Sequence, residues 1–440
     1  MSKYLHLALL PLVAAGCVNT QTDAPAILSP AQAVSSYVTP TPIPRIVGKE
    51  APLLAHAVVI PETRLPNPNG YDLLVKATES VDRKDAGSPL TIDTLSPEED
   101  LKRQRASTLK NAAALALVRQ ALKLPIVVPS KRGPRAPSPP YSGFRWLSRI
   151  VLQEGAVFAA DRHMDRAMNS ALDVVEMGAA LQNGSNEIGM LVGLAIESMG
   201  RSDIMRRRAK LNSEQAAQSA RRLESIDAKR PAYAEIQREV TWNNLSEMRD
   251  ILRDPEWKKF HDGGEAKSMA GMLKGMGDIN KLRQTSDLQI ESNFMAASDA
   301  ILARARLPYS PKLPVVPDPT DALSTLLVNP DTSLGITRSR VSYERNAAAS
   351  RMLIVELARE AFWTASRQNP QSLQELVPKY LSAVPRDPFA PGSELRYERQ
   401  GESYVLYSVG PDGVDNGGDP IKGRGISLGD VGDMLSGSFK

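Results

Sequence analysis

The sequence predicts a mainly α-helical protein, a helical-hairpin bundle or short solenoid, with a small C-terminal α+β domain. Three observations predict it. From Tyr141 to about Leu307, apolar and small residues recur at helical spacing almost without a break. Small residues (Ala156, Ala159, Ala160, Ala167, Ala171) fall where paired helices need close approach. Near the C-terminus the period changes: ELRYERQG and ESYVLYSVG alternate every second residue and meet around Gly401, as two strands of a hairpin do. No unit of about 34 residues repeats, so a tetratricopeptide array is not implied.

The chain of 440 residues is long enough for two or three domains with cores of their own. Its apolar fraction of 42% and charged fraction of 24% are those of a globular protein. With 54 basic and 50 acidic residues the net charge is only +4, and no nucleic-acid partner is expected without a concentrated basic surface. The short basic runs Met205–Lys210 and Lys131–Arg135 read as a solvated helix face and a loop.

The first residues, MSKYLHLALLPLVAAGC, place Lys3 before an apolar run from Tyr4 to Ala15, then small residues before Cys17. That run is too short to span a bilayer and suits a signal-peptide core. Its Ala-Ala-Gly-Cys ending resembles a bacterial lipobox, with Ala14 where that family usually has Leu. The resemblance implies a lipoprotein signal peptide over 1–17, diacylglycerol on Cys17 and a membrane-anchored place in the cell envelope. Cys17 is the one cysteine of the chain, so it has no disulfide partner within it. Val18 rather than Asp follows it, which favours the outer membrane where one exists. The longest other apolar stretch, Ile188–Ile196, is about half the ~20 residues a span needs, and its Gly189-xxx-Gly193 spacing reads as close helix packing in a core.

Residues 18–65 are rich in Pro, Ala, Ser and Thr and read as a disordered tether. An α-helical domain is expected over 66–307. Asp72 is its first candidate N-cap, with Leu73, Leu74, Ala77 and Val81 on one face. Ser96, Pro97 and Glu99 form a capping box that opens one helix running to Pro125. Phe144–Ala160 and the segment from Met164 read as an antiparallel hairpin closed by Gly184. Further helices are expected in Ser185–Gly200 and Leu211–Arg230, through Trp242 and Leu252, and over roughly Lys281–Ala305. A Pro-rich connector covers 308–340 and the last domain 341–440. It opens with a helix from Ser342 to Trp363, whose Ala347, Leu353, Ile354, Leu357 and Ala361 fill one arc while Glu344, Glu356, Arg359 and Glu360 take the other side.

The C-terminal order is specific: an amphipathic helix, PQSLQELVPKYL, VPRDPF, a strand pair, then YSVGPDGVDNGGD. Over about 100 residues it resembles the globular head of the major pseudopilins of type II secretion. The resemblance implies a structural calcium in the loop after the strands, with Asp412, Asp415 and Asp419 as ligands and Ser408 and Asn416 as weaker candidates. Calcium takes about six to eight hard oxygens, which clustered carboxylates and Gly-rich carbonyls supply. The spacing is not that of an EF-hand, and an Asp/Gly turn that needs no ion is the alternative. Pseudopilins polymerise through a long apolar N-terminal helix. None precedes Ser342, so assembly into a pseudopilus is not implied.

No catalytic residue is singled out. Of four His, His6 and His56 precede the folded part, and neither His163 nor His261 has a metal-ligand neighbour at helical spacing. No G-x-S-x-G elbow, Walker loop or dinucleotide fingerprint occurs. Glu187 with Glu197, or Glu239 with Glu247, are the candidate acid–base pairs, and solvated helix carboxylates are the plainer reading. Trp146, Trp242, Trp257 and Trp363 read as packing residues. The favoured expectation is therefore a non-catalytic envelope lipoprotein, with a helical surface for a protein partner and a calcium-stabilised head. The alternative is a cell-envelope hydrolase with an acidic site in a groove of the helical domain.

Overall fold

The structure is a computed structural model that describes residues 59–82, 95–130, 132, 137–253, 284–312, 321, 323–325, 332–422 and 430–436. Cys17 with its signal peptide, the tether as far as residue 58, Lys131, residues 133–135, Trp257, His261 and part of the connector lie outside the described residues. The described part is mainly helical, with one small antiparallel sheet near the C-terminus.

The first helix, α1 (Gly70–Glu79), is capped by Asn69 rather than Asp72: Asn69 Oδ1 accepts from Tyr71 N at 3.1 Å. The same amide accepts from Val127 N and donates to Val127 O, so it also fastens α1 to the segment behind α3. Asp72 falls one turn in, where its charge meets the positive helix end. The capping box at Ser96 forms as expected and opens α2 (Pro97–Lys110). The single helix expected beyond it breaks at Asn111, and α3 (Ala112–Ala121) follows. Asn111 Nδ2 donates to Ser107 O at 2.9 Å while its Oδ1 accepts from Asp82 N at 2.8 Å. An amide engaged in this way competes with the helix backbone, a local option that period counting does not see.

The hairpin is formed by α4 (Tyr141–Ala160) and α5 (Met164–Ala180). Gly184 turns the chain with φ +75° toward α6 (Glu187–Arg207). Helices α5 and α6 cross closely at glycines: a Cβ on Gly178 would lie 2.7 Å from Gly193 O, and one on Gly200 2.7 Å from Ala171 O. Gly193 thus serves close packing within the protein, and among the described residues no helix is long and apolar enough to cross a membrane. Next come α7 (Ser213–Ala228), α8 (Tyr233–Leu252) and α9 (Asp287–Arg306), with α9 packed on α8.

Helix α10 runs over Thr332–Ser366, starting ten residues before Ser342 and inside the expected connector. Its apolar arc packs on α6 and α7 as the period implies. The opposite side is also covered, by β2 and the turn at Leu373–Leu376, so Glu356, Arg359 and Glu360 are buried rather than solvated, and Glu344 is buried beside Arg340 at 2.5 Å. They find partners there: Glu356 accepts from Tyr404 and Ser436 hydroxyls at 2.8 and 2.6 Å, and Arg359 donates to Glu360 at 2.8 Å.

The sheet has order β1 (Arg396–Gln400), β2 (Ser403–Ser408), β3 (Met434–Leu435), all antiparallel. Its register pairs Arg396 with Tyr407 and Gln400 with Ser403, closing on Gly401 and Glu402. One apolar core joins Met168, Leu172 and Leu223 of α5 and α7, Leu353 and Leu357 of α10, and Phe389, Leu406 and Met434 around the sheet. A second, built from α1, α3, α4 and α5, centres on Leu74, Val118, Phe144 and Ile150. The first core runs through residue 341 without dividing there.

Candidate functional site

The acidic turn leaves the end of β2 and closes at Pro420, which bridges Asp433 beside β3. Gly410, Gly413, Gly417 and Gly418 all take left-handed φ, between +68° and +84°, which L side chains adopt at a cost. That backbone folds tightly enough for its N–H groups to reach the acids. Asp412 accepts from Val414 N at 3.1 Å and from Gly432 N at 3.3 Å. Asp415 accepts from Gly417 N and the Tyr407 hydroxyl at 3.1 and 3.0 Å, and pairs with Arg396 at 2.8 Å. With its amide turned to satisfy both ends, Asn416 donates to Val414 O at 2.9 Å and to Asp412 Oδ2 at 3.3 Å. Asp419 is exposed, and its carbonyl accepts from Asp433 N at 2.7 Å. Ser408 is buried, and its hydroxyl donates to Asp387 at 2.7 Å.

Two acids that the sequence reading did not select organise this turn. Asp387 is 1% exposed and also accepts from Val409 N and Phe389 N, both at 2.9 Å, so it pins the exit of β2 to the preceding loop. Its signal was present in VPRDPF, an Asp-Pro step of the kind that bonds its own backbone two residues on. Asp433, also 1% exposed, accepts from Asn416 N at 3.3 Å and Gly418 N at 2.7 Å. Nothing local marks it, because both partners lie on the far side of the turn.

The electrostatics follow from this crowding. Burial raises the Asp433 carboxyl above the ordinary aspartate value, and the nearby charges of Asp415 and Asp412 add to it. Asp415 moves the other way: against its desolvation, Gly417 N–H, the Tyr407 hydroxyl and Arg396 together hold it low. Burial, then Asp415, push Tyr407 up to about 12.

Asp412, Asp415 and Asp433 are close enough in the turn for their charges to add, and each already accepts hydrogen bonds from it. Calcium binding through Asp415 displaces Arg396, and binding through Ser408 breaks its bond to Asp387. Among the described residues no group of three or more His, Cys, Asp and Glu is arranged to hold a metal ion.

In the helical domain several buried carboxylates pair with arginines. Glu197, fully buried, takes both ends of Arg230 at 2.6 and 2.8 Å and Arg201 at 3.2 Å. Glu291 pairs with Arg249, Asp203 with Arg207, and Glu154 with Arg119. Glu187 and Glu197 stand ten residues apart on α6, about 15 Å along its axis, beyond the reach of an acid–base pair on one bond. Glu239 accepts from Ser130 and Arg132 at 2.8 and 2.9 Å, and Glu247 lies about 12 Å further along α8. Trp242 is buried, Trp146 half-buried beneath Arg149, and Trp363 38% exposed. His163 is exposed in the turn before α5. Comparison of the chain with protein-family models, curated proteins and solved structures finds no match.

Proposed function

We propose that the protein is a non-catalytic lipoprotein of the bacterial cell envelope. A lipid on Cys17 anchors it, its helical domain offers a surface to a protein partner, and its C-terminal turn holds a structural calcium in a pseudopilin-like head that serves secretion or surface assembly. The observation that carries this reading is the crowding of Asp412, Asp415 and Asp433 on a glycine-folded turn, where the charges of Asp415 and Asp412 add to the effect of burial on the Asp433 carboxyl. A divalent cation relieves such crowding. The pairing of buried helical-domain carboxylates with arginines supports a structural role for them over that of a hydrolase's acid and base.

Thermal unfolding of the soluble chain, with calcium and with chelator, tests the head. Calcium should raise the melting temperature of the wild type, and not that of the Asp412/Asp415/Asp419→Ala variant. Identical melts in calcium and chelator remove the ion from the account. Cys17→Ser tests the anchor: the chain should leave the membrane fraction, and its retention there would argue against the lipid.

A further inference from the structure

A cavity of about 210 Å³ opens between the start of α6, the middle of α8 and α9. At ~30 Å³ for each water of the liquid it has room for about seven waters, the size of one six-membered ring with its substituents. Its polar wall is made of uncharged groups: Asn186, Gln237, Thr241, Asn243, Asn244 and Ser298. Phe294, Ile301 and Val240 supply an apolar strip. No lysine or arginine lines it, and the single acid is Glu187. Burial raises the Glu187 carboxyl above its ordinary value, partly offset by a hydrogen bond from Ser339.

A hydrogen-bond chain behind the wall sets the orientation of these groups. Gln237 Nε2 donates to the Tyr233 hydroxyl at 2.9 Å, and that hydroxyl meets Ser339, the partner of Glu187. With Nε2 engaged there, Gln237 Oε1 is left to accept from a ligand. The Asn186 carbonyl is likewise used, as the cap of Gly189 N at 3.2 Å, leaving its Nδ2 as a donor. Gln237 Oε1 and Asn186 Nδ2 thus offer the cavity an acceptor and a donor beside its apolar lining.

We propose that this cavity binds one neutral sugar residue, its hydroxyls bonded to the amide and hydroxyl groups of the lining and its C–H face laid on the more accessible Ile188 and Val240. An anionic ligand finds no counter-ion there. A purely apolar one leaves amides unpaired, which costs affinity. Binding at this place is separate from the acidic turn and from Cys17, so its failure leaves the proposed anchor and head untouched.

Saturation-transfer NMR on the intact soluble protein tests it, with glucose and N-acetylglucosamine as probes and glucose 6-phosphate as the charged counterpart. Transfer is expected to at least one neutral sugar and not to the phosphate. It should fall at least tenfold in Gln237→Leu and in Asn243→Leu. Asn243 is only half-buried, so its variant keeps the fold, verified by circular dichroism. Transfer to neither neutral sugar, equal transfer to the phosphate, or full transfer in a folded Asn243→Leu would each overturn the proposal.

Discussion

Glu197 has no exposed surface, so its charge depends wholly on the groups around it. Arg230 grips both oxygens, Arg201 and Asn346 share Oε2 at 3.2 and 2.9 Å, and Gln182 donates to Oε1. Burial pulls Arg201 down to about 10, while for Arg230 burial is opposed by the charge and hydrogen bonds of Glu197 together with Asp227, which hold it up. Removing the anion strands two buried cations, so Glu197→Ala should cost about 3–5 kcal/mol in urea unfolding. Replacing Glu197, Arg230 and Arg201 together by Met should cost far less, because the anion and both of its cations are then removed at once. Glu187 tests the opposite sign. Its folded pKa lies above the ordinary 4.5, so the stability tied to its proton is present below 4.5 and lost as pH rises through the raised value. Glu187→Gln should match wild type in acid and exceed it at neutral pH, read from unfolding curves at several pH values; parallel pH profiles would show that its burial carries no such penalty. Neither role was legible in the sequence, where Glu197 is one helix glutamate among many and Asn346 stands 149 residues away.

At the scale of elements, period and capping were good guides wherever one neighbour decided the outcome. The box at Ser96 and the apolar arc of α10 appear as read. The reading failed where a second partner intervened: Asn111 reaching Asp82 breaks a continuous helix, and the sheet covers the charged side of α10. A helix wheel assigns a polar side to water by default, and only tertiary contact reveals that Tyr404 and Ser436 wait there for Glu356. The crossing of α5 on α6 is the firmest contact to probe. A methyl on Gly193 meets Gly178 O at 2.6 Å, backbone that cannot swing away as a side chain can. Gly193→Ala should destabilise by about 1–3 kcal/mol through overpacking, with at most ~1 kcal/mol returned by helix propensity. Because Gly178 faces the same contact, the Gly178→Ala/Gly193→Ala pair should cost less than the sum of the singles. Chemical denaturation of all three variants measures both, and a neutral Gly193→Ala would mean that the helices part freely.

For the whole molecule, the question is whether the C-terminal head is a separate body. The change of period near residue 396 made the sheet and its glycine turn legible, and the clustered Asp412, Asp415 and Asp419 marked the turn as special. What the sequence withheld was how the turn is held: Asp387 and Asp433 reach it from 21 and 17 residues away, and local patterns carry no such distances. It withheld also that α10 is wrapped on both sides, by α6 and α7 and by β2, so that Leu353 and Leu357 share one core with Leu172 and Leu406. Cutting between helices and head would strip apolar surface from both, at about 1.5–3 kcal/mol for each large side chain uncovered. The two should therefore unfold together. Calorimetry is expected to show one transition containing α5–α7, α10 and the sheet, coincident with the fluorescence of Trp363 on α10. Calcium at a hundredfold excess over its Kd adds about 2.7 kcal/mol to such a unit and should move that whole transition. A small early transition that alone responds to calcium would instead make the head an independent domain, joined to the helices by contacts too weak to couple them.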